Sequence, residues 1–329
     1  MSSPLRFGIL GAAGITPSSL IAPAALNPDV ELVAVAARDR SRAEAFAAEH
    51  GIGRVEDSYE SLLAADDIDA IYIPLPNSEH GRWTKAAVDA GKHVLVEKPF
   101  ASNGTEAEEV AAHVAGSGLV VMEAFHYRYH ALMSEAIALV RDGKVGDLVD
   151  VSATFDVNLP DRSNIRYIYD LAGGATMDLG CYSLHFVRSI VGEEPEVVSA
   201  TYRPSTDDRI DEALTAELRF PSGVTSTVSS SLLEDVECQS ATIVGTEGVL
   251  KVEGFVKPQE GNSLTLYTDA DGATEIEVPE RPTSYDCQLD IFVAAVREGL
   301  PVITDAADAV KMMHAIDAMY VAAGLQPRE

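Results

Sequence analysis

The stretch Gly8-Ile9-Leu10-Gly11-Ala12-Ala13-Gly14-Ile15 decides the fold. Its apolar run reads as a short strand that stops at Gly11, and helical sequence follows over about 17–27. A strand that enters and a helix that leaves form the setting of a dinucleotide-binding turn. There the chain reverses tightly, and its backbone N–H groups approach a pyrophosphate at a helix N-terminus. The match to G-x-G-x-x-G is degenerate. Counted from Gly11, Ala13 takes the place of the second glycine and Thr16 that of the third. An ordinary Gly-rich strand–helix turn is the competing reading, so the surroundings must decide. Gly11, Ala12, Ala13, Gly14 and Ile15 are the candidate cofactor contacts in this turn.

Outward from that turn, strand and helix signals alternate. Apolar runs at 31–36, 70–73, 93–96 and 119–122 read as strands, the third strand ending at Pro74. Helices are predicted at 41–50, 78–90 and 104–116, with Ser41 and Glu44 spaced as a capping box. Val-, Ile- and Leu-rich strands alternating with helices imply a parallel sheet covered on both faces. After about residue 125 the pattern changes. Helices are predicted at 131–141 and 175–191, then strand-like segments at 196–203, 212–220, 223–233, 237–244, 248–254, 263–268 and 273–278. Pro221-Ser222-Gly223 and Asp269-Ala270-Asp271-Gly272 read as hairpin turns, which favours antiparallel pairing. Helices return at 284–298 and 305–322. The predicted class is α/β, with an N-terminal doubly wound parallel Rossmann sheet. A C-terminal α+β domain with a largely antiparallel open sheet follows. The predicted boundaries are 1–124 and 125–329, with the last helices, 305–322, able to pack back on the first domain.

Length and charge narrow the function. A chain of 329 residues suits two domains, and 47% hydrophobic residues supply their cores. No apolar run approaches the roughly 20 residues of a membrane span. Met1 to Phe7 runs straight into the first strand with no leader-like pattern. The three cysteines, Cys181, Cys238 and Cys287, form no C-x-x-C, so neither a disulfide framework nor a metal site is expected. A reducing cytoplasm fits. With 24 basic against 52 acidic residues the net charge is −28, which argues against nucleic acid and anionic membrane as partners. An anionic cofactor would need a local positive cluster. Arg38-Asp39-Arg40-Ser41-Arg42 supplies one at the end of the second predicted strand, where NAD enzymes usually carry an acid for the ribose 2′-OH. Arg38 and Arg42 therefore point to NADP, with NAD as the alternative. A solvated loop neutralised by Asp39 is the competing explanation.

Glu97-Lys98-Pro99 lies at the carboxyl end of the fourth predicted strand, where open α/β sheets bind ligands. A lysine there can hydrogen-bond a reacting hydroxyl and relay a proton. A surface Lys–Glu pair is the competing reading. A second cluster runs from Gly173-Gly174 through Asp178 and Tyr182 to His185. On one helix, Asp178 and Tyr182 stand at i and i+4 and share a face. A phenol beside a carboxylate suits proton exchange with a carbinol, yet a packed core tyrosine would look the same. Metal binding by Asp178 and His185 is disfavoured because no third ligand is evident. Pro74-Leu75-Pro76-Asn77 with His80, and Glu123 through Arg128, are further polar segments at strand ends.

Together these motifs resemble the glucose–fructose oxidoreductase/inositol dehydrogenase family (Gfo/Idh/MocA) over nearly the whole chain. The carriers are Gly8 to Ile15, Ile73 to Asn77 with His80, Glu97-Lys98-Pro99, and Gly173-Gly174 leading to Asp178 and Gly180. Tyr182, where many members have His, looks like the branch with glucose–fructose oxidoreductase, NADP-dependent xylose dehydrogenases and dihydrodiol dehydrogenases. The resemblance implies hydride transfer between a nicotinamide and a sugar, polyol or related cyclic secondary alcohol. It implies catalytic roles for Lys98, Tyr182 and Asp178, and a cofactor set of Gly11 to Ile15, Arg38, Arg42, Pro74, Leu75, Asn77, His80, Glu97 and Lys98. Arg128, Arg166, Tyr167 and His185 are the expected substrate contacts. A homodimer or homotetramer through the C-terminal sheet is implied as well. A trans-dihydrodiol dehydrogenase and a non-catalytic NADP-binding regulator are the rival readings. The intact Lys98, Asp178 and Tyr182 set argues against the regulator. Five charged groups within 156–170 lean towards a polyhydroxylated substrate.

Overall fold

The computed structural model describes residues 3–329. The first sheet holds β1 (Leu5–Leu10), β2 (Val30–Ala36), β3 (Arg54–Val55), β4 (Ala70–Ile73), β5 (His93–Val96) and β6 (Val121–Glu123). Its order is β3-β2-β1-β4-β5-β6. Every neighbouring pair is parallel. Phe7, Ile9, Ile71, Ile73, Val94 and Val96 are fully buried, as a sheet covered on both faces demands. Strand order reverses between β1 and β4. The carboxyl ends of those strands are where such sheets bind ligands.

The helix over Arg40–His50 starts from Asp39, not from a Ser41–Glu44 box. The Asp39 carboxylate accepts from the backbone N–H groups of Ser41 at 2.9 Å and Arg42 at 3.4 Å. It also accepts the Ser41 hydroxyl at 2.7 Å, which makes Ser41 a donor to the cap instead of the cap itself. These bonds, the Ser41 hydroxyl foremost, hold the Asp39 carboxyl below its ordinary pKa.

The chain divides into one unit of residues 1–125 with 285–310 and another of 126–284 with 311–329. The expected boundary at 124/125 falls beside the first division, and residues 285–310 lie with the first unit. Residues 285–310 join the first unit because Phe292 packs on Phe7, with ring centroids 5.5 Å apart, and Arg297 pairs with Asp29 at 2.5 Å. The Glu123 N–H also donates to the Thr304 carbonyl at 2.9 Å.

The second unit contains β7 (Leu148–Asn158), β8 (Glu196–Pro204), β9 (Asp211–Arg219), β10 (Thr225–Ser231), β11 (Leu233–Gly245), β12 (Gly248–Glu253), β13 (Ser263–Thr268) and β14 (Gly272–Glu275). They form one sheet in the order β14-β13-β12-β11-β7-β10-β9-β8. Only β7 and β10 run parallel; the other neighbours are antiparallel. Strand β7, absent from the pattern of predicted strands, sits within this sheet between β11 and β10. Its Val151, Ala153 and Phe155 point into the core, while Ser152 and Thr154 alternate with them. The helix Cys181–Val191 covers the core face. It starts with a wide π turn at Thr176–Gly180, where one continuous α-helix was expected. A Cβ on Gly180 would come within 2.9 Å of Ser230 Oγ, and Ser183 Oγ donates to the Ser229 carbonyl at 3.0 Å, so helix and sheet are in close contact.

One buried ion pair anchors the approach to that helix. The side chains of Arg328 and Asp211 have no exposure and meet at 2.5 Å. Arg328 also donates to the carbonyls of Gly173 at 2.7 Å and Arg209 at 2.9 Å, and its guanidinium stacks 4.1 Å over Tyr320. Asp211 accepts the Thr176 N–H at 2.7 Å and the Tyr320 hydroxyl at 3.1 Å.

Candidate active site

In the first unit the structure gathers the predicted cofactor segments at the carboxyl ends of β1, β4 and β5. Gly11 has φ +106°, a left-handed conformation that favours glycine. A Cβ there would stand 2.9 Å from Leu75 Cδ2, so the β1 turn and the Pro74-Leu75 segment pack closely. Gly14 and Ile15 are exposed beyond the turn, free to face a ligand. Arg42 reaches back over the turn, its guanidinium 3.3 Å from the Ala12 carbonyl. Arg40 is committed to Glu44 and Asp57. Arg38 and Arg42 are exposed beside it. Tyr59, which no motif marks, lies near Arg38; burial raises the pKa of its phenol and Arg38 offsets part of that rise.

Lys98 is half-buried just beyond β5, and its bond to Pro99 is cis. Glu97 is buried. Its carboxylate accepts the Tyr72 hydroxyl at 2.6 Å, and the same hydroxyl lies 2.6 Å from Ser19 Oγ. Burial and the Glu97 charge push the Tyr72 phenol well above its ordinary pKa. This chain ties the helical turn after Gly11 to the Glu-Lys-Pro segment. Asn77 is half-buried at the start of the helix Asn77–Asp89.

His80, named in the expected cofactor set, lies between two loops. It is fully buried, with Nδ1 2.7 Å from the Pro99 carbonyl and Nε2 2.8 Å from the Leu75 carbonyl. The neutral ring has one N–H and can donate to only one of these carbonyls, one on the loop after β4 and the other on the loop after β5; donating to both takes the imidazolium. Burial outweighs the pull of the two carbonyls and lowers its pKa from 6.5 to about 4. The sign follows from linkage. The unfolded imidazole takes up a proton below pH 6.5, whereas the folded one refuses it until about pH 4. Stability from this group is thus complete above pH 6.5 and is lost as pH falls towards 4. The full loss is about 3 kcal/mol. Denaturant unfolding at a series of pH values is expected to show a shallower acid slope for His80→Gln than for the wild type.

In the second unit, Tyr182 is buried at the head of its helix among Tyr127, Phe155 and His126, with ring centroids 5.7, 5.7 and 5.9 Å away. Its hydroxyl lies 3.2 Å from His126 Nε2. Asp178, in the π turn, receives the Arg166 guanidinium. Its charge is the main cause of a raised Arg166 pKa, with a smaller contribution from the Tyr182 phenol. Arg166 Nη1 also donates to Asn164 Oδ1 at 3.3 Å. The predicted residues Asp178, Tyr182 and Arg166 are thus one cluster. Tyr167 and His185 stand differently. The Tyr167 hydroxyl donates to the Leu159 carbonyl at 2.6 Å and its ring lies under Arg162 at 4.6 Å. His185 is buried, with Nδ1 2.6 Å from the Tyr127 hydroxyl. Arg128 is half-buried in the turn His126–Tyr129.

Among the described residues, no group of three or more His, Cys, Asp or Glu side chains is placed to hold a metal ion. No helix among them is long and apolar enough to cross a membrane.

Comparison with known proteins gives consistent matches. Residues 5–125 match the profile of an oxidoreductase family with an NAD-binding Rossmann fold. Residues 133–251 match that of the GFO/IDH/MocA C-terminal domain. The chain is 39% identical over 322 residues to a D-xylose 1-dehydrogenase (NADP(+)) of Haloferax volcanii, covering 97% of each. It is 34% identical over 325 residues to a dTDP-3,4-didehydro-2,6-dideoxy-alpha-D-glucose 3-reductase of Streptomyces antibioticus, covering 98% of each. Its fold matches a 3-ketoreductase from Actinomadura kijaniata, solved with NADP and TDP-benzene. The TM-score is 0.89 at 26% identity, over 97% of this chain and 98% of the other.

Proposed function

The chain belongs to the Gfo/Idh/MocA oxidoreductase family, and from that premise we propose that it oxidises a polyhydroxylated sugar with Lys98, Tyr182 and Asp178 as its chemical machinery. It is an NADP-dependent oxidoreductase that transfers hydride between the nicotinamide and a sugar or cyclic alcohol. The chain's own geometry fits that cofactor. The left-handed Gly11 permits a close backbone approach at a helix N-terminus, and Arg42 reaches over the same turn. In the proposal, Gly11 to Ile15 hold the pyrophosphate, Arg38 and Arg42 hold the 2′-phosphate, and Pro74, Leu75 and Asn77 border the nicotinamide ribose. Glu97 and His80 keep those loops in place. When bound, NADP supplies the hydride acceptor.

Tyr182 takes the hydroxyl proton, Lys98 stabilises the developing alkoxide, and Asp178 orients Arg166 towards the substrate. The observation that carries the sugar reading is the Asn164–Arg166–Asp178 cluster beside Tyr182. Ionic donors and acceptors fixed next to a phenol suit a ring bearing several hydroxyls; an aromatic diol would favour an apolar wall. A panel of aldoses, inositols and aromatic diols, followed at the nicotinamide absorbance, tests this. Turnover confined to the diols would overturn the sugar assignment.

Arg38→Ala is expected to lower kcat/KM for NADP by roughly 10- to 100-fold, the loss of a charge-assisted hydrogen bond, and to leave NAD nearly unaffected. Equal losses for both cofactors would remove Arg38 from the role. Homo-oligomerisation through the open sheet face and a cytoplasmic setting complete the proposal. That face carries Thr154 and Ser229, joined at 2.8 Å, opposite the face covered by the Tyr182 helix. Among the described residues no disulfide joins Cys181, Cys238 and Cys287. Sedimentation equilibrium gives the subunit number directly.

A further inference from the structure

Tyr182 does not stand alone. His126 Nε2 lies 3.2 Å from its hydroxyl, and His126 Nδ1 lies 2.8 Å from Ser284 Oγ. Ser284 Oγ donates to Gln259 Oε1 at 2.9 Å, and the Ser284 backbone N–H points at the same atom from 3.4 Å. A backbone N–H can only donate, so that Gln259 atom is the amide oxygen. It carries no hydrogen, and the Ser284 hydroxyl therefore spends its proton on it. What faces His126 Nδ1 is a Ser284 lone pair, so Nδ1 carries the hydrogen. Neutral imidazole then leaves Nε2 as a bare lone pair directed at the Tyr182 phenol. The imidazole is 2% exposed, the phenol 5% and the serine 0%, so water does not compete for these bonds.

We propose that His126 is a positioning residue that serves as the proton acceptor behind Tyr182, its tautomer set by Ser284 and Gln259. The inference rests on the assignment of Tyr182 as the acid/base. A phenol is a poor base until its proton has somewhere to go. In oxidation, the carbinol C–H hydride leaves to the bound nicotinamide and the O–H proton moves to Tyr182 Oη. The Tyr182 proton passes to His126 Nε2, and the substrate becomes a carbonyl. The imidazolium so formed donates through Nδ1 to Ser284, and the two electrons leave with the hydride. Reduction runs the same steps backwards.

Several titratable and charged groups face this pair among the described residues. From the Tyr182 helix comes His185, whose Nδ1 is taken by the Tyr127 hydroxyl at 2.6 Å. From the segment before that helix come Arg166 and Asp178, paired with each other. Tyr127, adjacent to His126, packs its ring against Tyr182 at 5.7 Å. Of these, Arg166 favours the phenolate.

Long-range nitrogen–proton correlation of the full chain, labelled with nitrogen-15 histidine, reads the tautomer without any substrate. His126, identified by its absence in His126→Gln, is expected as the Nδ1–H tautomer, with an Nε2 resonance that moves in Tyr182→Phe. An Nε2–H tautomer would overturn the proposal. Kinetics on whichever panel sugar turns over supply the second reading. Glutamine at 126 can still accept the phenol hydrogen bond but cannot take its proton. His126→Gln is expected to keep the NADP Kd, lower kcat for oxidation by about 10-fold or more, and shift the acid limb of the pH profile to higher pH. An unchanged rate and limb in His126→Gln, with Tyr182→Phe inactive, would reduce His126 to a packing residue. Full turnover in Tyr182→Phe would instead remove the assignment beneath it. If His126→Gln does not fold, the wild-type tautomer, assigned through Ser284→Ala, decides.

Discussion

Lys98→Met is expected to bind NADP with a near wild-type Kd and to lose turnover by about 10²- to 10⁴-fold, the range of a positioned acid/base group. Methionine keeps an unbranched apolar stem, with sulfur in place of one methylene, and removes the ammonium. Lys98 sits at the carboxyl end of β5, while the turn proposed to hold the pyrophosphate follows β1, so cofactor affinity and chemistry are expected to separate in this variant. The loss is expected in kcat and kcat/KM alike, the signature of an interaction made in the transition state. Cofactor titration by fluorescence and single-turnover kinetics measure the two halves. Retained turnover would remove Lys98 from the chemistry.

Arg328→Met is expected to destabilise the second unit by about 3–5 kcal/mol, because it leaves a buried carboxylate without its cation. Asp211 has no exposure, and the Thr176 N–H and Tyr320 hydroxyl that also bond it carry no formal positive charge. The same substitution strips donors from the carbonyls of Gly173 and Arg209. Adding Asp211→Asn is expected to recover part of the loss, since a neutral amide is cheaper to bury than a lone carboxylate. Denaturant unfolding of the two variants beside the wild type checks both statements. Because Asp211 holds the Thr176 N–H at the start of the turn that carries Asp178, a fall in kcat/KM is expected to accompany the instability.

The sequence makes the first sheet plain because its strands are short, apolar and separated by helices of the right length. The bounds of β4 and β5 coincide with the runs that suggest them. Strand β7 escaped because its charged end, Asp156 to Asn158, drew it into a loop-like stretch, although Val151, Ala153 and Phe155 alternate with polar residues as a strand should. The Ser41–Glu44 pair, beginning two residues after Asp39, matches the capping-box spacing and masks the Asp39 cap. His80 shows a different limit. The motif marks its position, but only the fold reveals that both ring nitrogens face carbonyls. His126 and Arg328 could not be found from spacing. His126 lies 56 positions from Tyr182 and Arg328 lies 117 from Asp211, and only tertiary packing pairs them. Lys98, Asp178 and Tyr182 stand out as candidates in the sequence because a strand end and a helix face are local features.

The most direct measurement is the initial rate of NADPH formation when the purified chain is mixed with NADP and each polyhydroxylated member of the substrate panel. The expected result is saturable reduction of NADP by at least one sugar or polyol, slower with NAD, and lost in Lys98→Met. Tight NADP binding with no reduction by any of them, or turnover that survives in Lys98→Met, would contradict it.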